Sequence, residues 1–220
     1  MIMKNEMSII KIDDHDLNGH RFYDGFKRAM DFLLALLGIV LLSWLYLLIA
    51  IFIKCGDWGP VFYSQARIGK NGQSFKMWKF RSMVTNADEL KADLMDQNEV
   101  EGNMFKMKRD PRITRVGAFI RKYSLDELPQ LWNVMRGDMS LIGPRPALPE
   151  EVANYTDYDR QRLLVIPGCT GYWQVTTRNS ASFAEMVNLD LTYIKRRSFK
   201  FDLWILVMTV KVMLVPNTAY

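Results

Sequence analysis

Apolar positions fall very unevenly along this chain. Residues 1–25 mix polar and apolar side chains with no sustained period and are expected to form an arm, partly disordered or lying on a membrane surface. Nothing in them pairs an apolar core with a cleavage site, so they do not read as a signal peptide. From Phe32 to Ile53 no residue carries a charge. At helical rise that run reaches about 33 Å, enough to cross a hydrocarbon core. Basic residues flank it on both sides, Lys27 and Arg28 before it and Lys54, Arg67, Lys70, Lys76 and Lys79 after it. A spanning helix would leave that charge on both faces. A helix that enters and returns on one face would keep both flanks together, with Gly38 and Ser43 as candidate bend points.

Beyond Gly56–Pro60, a turn, the pattern becomes that of a compact domain. Residues 61–65 and 75–80 are expected to pair as a hairpin around a turn at Gly69–Gly72. Helices are predicted over 83–98, 112–123, 127–136, 152–164 and 182–196, with Asp110-Pro111 as a break and Pro167-Gly168 to Gly171 as a turn. The final apolar helix, Phe201 to Val215, is short for a span and reads either as core or as an interfacial helix behind Lys195, Arg196, Arg197 and Lys200. The predicted fold is mainly α with a small β-hairpin. Its expected organisation is a polar arm (1–25), a re-entrant or spanning membrane helix (26–54) and a compact cytoplasmic catalytic domain with interfacial helices (55–220).

Composition narrows the chemistry. The formal net charge is +5, a balance that suits anionic headgroups or anionic substrates. No zinc-finger or RNA-recognition spacing supports a nucleic-acid partner. Cys55 and Cys169 form no C-x-x-C pair and suit a reducing compartment. The two histidines, His15 and His20, lie in the arm, which excludes a Ser-His-Asp triad or a His-rich metal site in the body.

Candidate chemistry centres on Ser124-Leu125-Asp126-Glu127-Leu128-Pro129, followed by Gly143-Pro144-Arg145-Pro146. With Asp126 at or beside a helix cap, Pro129 falls in the first turn, where no backbone bond is lost. An acidic cap alone is routine. The functional reading is that helix-start N–H groups draw a phosphate to the same place, where an ionised Asp126 can attack phosphorus while Glu127 moves a proton. Arg121 and Arg145 supply cations, the latter stiffened by a proline on each side. Lys79 and Arg81, in Lys-Phe-Arg, and Arg178, after Gly171-Tyr172-Trp173-Gln174-Val175, add donors for a diphosphate.

These runs, with Gly59-Pro60-Val61-Phe62, Gln65-Ala66-Arg67-Ile68-Gly69 and Pro167-Gly168-Cys169-Thr170-Gly171, occur in the order seen in bacterial sugar transferases. The chain resembles the minimal form of that family, the monotopic phosphoglycosyl transferases, over about residues 26–215. The resemblance implies Asp126 as nucleophile and Glu127 as proton-transfer and metal-side partner. It also implies Lys79, Arg81, Arg121, Arg145 and Asp190 at the substrate. It further implies magnesium, a UDP-sugar donor, undecaprenyl phosphate as acceptor, a re-entrant helix and a place on the cytoplasmic face of the bacterial inner membrane, with a homodimer left open. Ser43-Trp44 stands where the family has Ser-Pro, and Thr177 stands where it often has Gly before Arg178. The expected reaction moves a sugar 1-phosphate and releases UMP. Two rivals are a conventional nucleotide-sugar glycosyltransferase, for which Asp157-Tyr158-Asp159 offers a D-x-D pattern, and a non-catalytic membrane scaffold.

Overall fold

The structure, a computed structural model, describes residues 10–93, 107, 110–177 and 181–214. A short helix α1 (Asp14–Asn18) leads into α2 (Arg21–Leu41) and α3 (Ser43–Asp57). A hairpin of β1 (Phe62–Ile68) and β2 (Ser74–Phe80) follows, then α4 (Ala87–Asp93) and α5 (Arg115–Lys122). A 3-10 turn at Leu125–Glu127 precedes α6 (Gln130–Arg136), β3 (Ser140–Ile142), α7 (Pro149–Ala153) and α8 (Asp157–Arg160). The chain ends with β4 (Gly168–Thr170), α9 (Tyr172–Thr176), α10 (Phe183–Arg196) and α11 (Phe199–Leu214). It is mainly helical, with two small sheets.

The long apolar run is two helices, not one. α2 and α3 meet at Leu42 with a bend of 60°, and no single described helix is long and apolar enough to cross a membrane. Leu42 keeps its N–H bonded to Gly38 O at 2.9 Å, so little backbone bonding is lost at the break. Ser43, a candidate bend point, adjoins the break: it is the first residue of α3, is exposed, and shows no side-chain bond to a carbonyl among the described residues. Gly38 is not the bend. A side chain there would meet Leu131 Cδ1 at 3.1 Å, so its hydrogen permits the close crossing of α2 over α6.

The flanks also differ from expectation. Lys27 reaches Asp202 at 3.2 Å and Asp31 at 3.7 Å. Arg28 donates to Val134 O (2.6 Å) and Met135 O (2.7 Å), satisfying carbonyls at the end of α6. Both charges therefore join α2 to the domain. Tyr46 packs edge-on against Phe80 and donates to Leu128 O at 2.6 Å. The outward face of the pair stays apolar and uncovered: Leu37, Val40, Leu41, Trp44, Leu47 and Phe52 are all more than half exposed.

β1 and β2 pair antiparallel over their full length, from Phe62–Phe80 to Ile68–Ser74, as the alternation predicted. The segment around Pro167 is not a plain turn. Gly168–Thr170 is a strand parallel to Ser140–Ile142. A side chain on Gly168 would lie 2.0 Å from Gly143 N, so only hydrogen fits at this strand crossing. The predicted helix over 152–164 is broken into α7, α8 and a 3-10 turn at Gln161–Leu164, because Thr156 caps a new start. The helix predicted over 83–98 is seen at Ala87–Asp93, and 94–98 lie outside the described residues. The main core joins Ile142, Val187, Leu191, Ile194 and Ile205; a second, around Ala35, Met77, Val134 and Met139, seats α2 against α6 and the hairpin.

Candidate active site

α5 begins at Thr114, whose hydroxyl accepts from Gly117 N at 2.8 Å, and ends at Lys122. Ser124 then adopts φ 55°, a left-handed conformation uncommon for a residue with a side chain. That reversal leads directly into the 3-10 turn carrying Asp126 and Glu127. The expected helix cap is therefore revised. Asp126 lies inside the 3-10 turn, Ser124 makes no capping hydrogen bond, and α6 starts one residue after Pro129.

The dyad borders a cleft of about 590 Å³. Arg121 from α5, Lys79 from β2, Arg67 from β1 and Arg145 from the Pro-Arg-Pro segment face the same space. Trp173 and Gln174 of α9 and Leu206, Thr209 and Val212 of α11 close the far side. Lys79 Nζ donates to Glu127 Oε1 at 2.6 Å. Arg67, Arg121 and Arg145 have no carboxylate partner among the described residues.

The two acids are pushed apart. Asp126 is 8% exposed, and burial raises its carboxyl to about 6, against the pull of Lys79 and Arg121. It was expected to stay ionised without such a rise. At neutral pH most of it is still carboxylate, now poorly solvated. For Glu127 burial also disfavours charge. The charge and hydrogen bond of Lys79, with Arg145 and Arg67, outweigh that and hold it below the ordinary range.

Other candidates sit elsewhere. Arg81 donates to both carboxylate oxygens of Asp57 and to Pro60 O (2.6 Å), tying the end of α3 to the hairpin outside the cleft. Asp190 is fully buried and bonds Arg162 at 2.7 Å rather than lining the cleft. It acts from behind: Arg162 also donates to Arg145 O at 3.4 Å and to the Tyr155 hydroxyl at 2.7 Å. Burial opposes the charge on Arg162, but Asp190 and Tyr155 more than restore it. Arg178 lies outside the described residues. Asp159 accepts from Thr156 N (2.9 Å) and hydroxyl (2.7 Å) as a helix cap, so one acid of the D-x-D pattern is occupied locally, and neither acid lines the cleft. Sequence reasoning missed Arg67 as a cleft residue, although an arginine at an inward strand position was a usable signal.

A magnesium ion fits this donor set. Magnesium takes one or two protein carboxylates and completes its shell with phosphate oxygens and water. Asp126 and Glu127 offer hard oxygens of that kind, and no softer ligand is needed. The one grouping of three metal-capable side chains among the described residues, Asp13, His15 and Asp16, is remote from the cleft, and Asp13 and Asp16 cap α1.

Residues 22–216 match the model of the bacterial sugar transferase family. The chain belongs to that family. It is similar to the galactosyl transferase CpsE of Streptococcus agalactiae, at 43% identity over 88% of this chain and 43% of that protein. The undecaprenyl-phosphate galactose phosphotransferase of Salmonella typhimurium is 39% identical over 100% of this chain and 46% of its own length. The exopolysaccharide production protein ExoY of Rhizobium meliloti is 42% identical over 88% of each chain. The chain thus spans under half the length of the first two relatives and most of the third.

Proposed function

We propose that this bacterial sugar transferase is a phosphoglycosyl transferase that moves a sugar 1-phosphate from a UDP-sugar to undecaprenyl phosphate, in exopolysaccharide or related glycan synthesis. Relatives named for a UDP-galactose lipid carrier and for undecaprenyl-phosphate sugar phosphotransfer support the substrate class. The observation that carries the chemistry is a poorly solvated carboxylate, Asp126, facing the same cleft as three arginines without carboxylate partners among the described residues. A carboxylate stripped of water is a stronger nucleophile, and the arginines offset charge on phosphoryl oxygens.

The reaction is written as two displacements. An Asp126 oxygen attacks the sugar-linked phosphorus, the P–O bond of the diphosphate breaks, and UMP leaves. An oxygen of the lipid phosphate then attacks the same phosphorus, the bond to Asp126 breaks, and the carboxylate returns. Glu127, held ionised by Lys79, would accept a proton from an acceptor phosphate that arrives protonated. Magnesium, held by Glu127 with Asp126, would neutralise charge on the diphosphate.

The uncovered apolar face of α2 and α3 supports membrane association, as do Leu203, Val207 and Val210 of α11, each more than half exposed. The neighbouring Leu206 and Val212 of α11 line the cleft, so one helix serves both the apolar face and the site. The bent pair is read as entering and leaving on the cytoplasmic side, where the donor is made. Purified protein given a panel of UDP-sugars and the lipid phosphate should release UMP. Release of UDP would instead establish a conventional glycosyltransferase, and no turnover with any donor would favour a scaffold.

A further inference from the structure

Arg67 is 6% exposed and carries a charge with no carboxylate partner among the described residues. Its Nη1 donates to Pro146 O at 3.1 Å and its Nη2 to Gln65 Oε1 at 3.0 Å, both neutral acceptors. Its Nε–H has no partner. A guanidinium has five N–H donors, and buried charges are normally paired or coordinated. Holding the Pro146 carbonyl would need only a neutral donor. Burial and the neighbouring Arg145 together lower Arg67 to about 10. Two cations thus line the same cleft, and Glu127, which attracts both, forms its ion pair with Lys79 at 2.6 Å.

We propose that Arg67 is a further substrate-binding residue, which joins Arg145 in seating a phosphoryl dianion in the cleft. The inference rests on the phosphoglycosyl transferase reading and adds Arg67 to the groups that hold its substrate. Pro144 and Pro146 stiffen the backbone that presents Arg145, and Arg67 fixes the same segment through the Pro146 carbonyl. Two guanidinium groups offer the planar, multi-donor surface that phosphoryl oxygens prefer. Donor diphosphate and lipid phosphate share this chemistry.

The test uses the full chain in detergent. Pyrophosphate should raise the melting temperature of the wild-type protein beyond chloride at equal ionic strength. Arg67→Gln should weaken that response at least tenfold, and Arg67→Lys should recover part of it. In turnover assays a tenfold rise in KM for the UDP-sugar alone assigns the seat to the donor, and a rise for polyprenyl phosphate alone assigns it to the acceptor. Wild-type protein without anion-specific stabilisation overturns the seat, whether or not the variants fold. So does a folded Arg67→Gln protein with wild-type anion response and both KM values unchanged. Anion binding that depends on Arg67 in a wild-type protein that releases no UMP would leave the seat standing and remove the reaction.

Discussion

Lys79 Nζ sits 2.6 Å from Glu127 Oε1, joining the second hairpin strand to the dyad turn across the floor of the cleft. The contact keeps one acid of the dyad charged while burial raises its neighbour. The fold thereby reverses the order of two acids whose ordinary values are 3.8 for Asp126 and 4.5 for Glu127.

Lys79→Met should therefore change the pH dependence as well as the rate. Glu127 lies below its ordinary value because of Lys79, so removing the lysine raises it. The acid limb of the pH–rate profile should move to higher pH, with turnover at neutral pH lower by about 10²-fold, the low end for acid–base effects. A profile of kcat/KM against pH for both proteins checks this.

Asp126→Asn should abolish turnover and the phosphosugar adduct that wild-type protein forms with donor alone, read by intact mass. It should also be more stable than wild type at pH 8. The folded carboxyl, at about 6, lies above the unfolded value of 3.8. Between those values the folded state holds the proton more tightly, so wild-type stability falls as pH rises from 3.8 through 6. The gain for the variant should be on the order of 1–3 kcal/mol at pH 8 and vanish near pH 4. Denaturant melts at the two pH values measure it.

Asp190→Asn should destabilise without touching substrate. Its partner Arg162 is 4% exposed, and removing one member of a buried pair costs about 3–5 kcal/mol. Arg145, whose carbonyl Arg162 holds, should then be less well placed, so KM should rise in whatever fraction stays folded. Urea unfolding and steady-state kinetics separate the two effects.

Excess EDTA should stop turnover, and added magnesium should restore it. Zinc should not substitute, since the donor set is carboxylate with no histidine or thiolate ligand. Activity retained in EDTA would remove the metal from the scheme.

Single cysteines at exposed positions in residues 10–20 and at exposed Asp157 or Arg160 of α8 should both be shielded from an impermeant thiol reagent in intact cells. Labelling of the first set alone would show that the bent pair spans the membrane.

Local signals carried much of this architecture. The hairpin was legible because alternation and the Gly69–Gly72 turn agree, and α10 because Ser182 and Glu185 form a capping box. The break at Leu42 was legible only as a position near Ser43, since no proline marks it. The three-residue parallel strands β3 and β4 were not legible, being too short to show a period and held together by a glycine crossing. Among candidate residues, the cleft gathers Lys79, Arg121, Asp126, Glu127 and Arg145. Arg81 and Asp190 found partners, Asp57 and Arg162, that only the tertiary fold brings near. Spacing along a chain shows which charges exist, whereas partners 24 or 28 residues away decide which remain available.

Lys27 and Arg28 give that distinction a practical edge. Both head a long apolar run, and a topology ruler would weigh them as headgroup anchors. Here one sits between Asp31 and Asp202 and the other closes the end of α6. Neutralising the pair would unfasten the bent helix pair from the domain before it altered any attraction to lipid. A charge-swap experiment on them therefore reports on docking, and orientation has to be probed with exposed cations such as Lys54 instead.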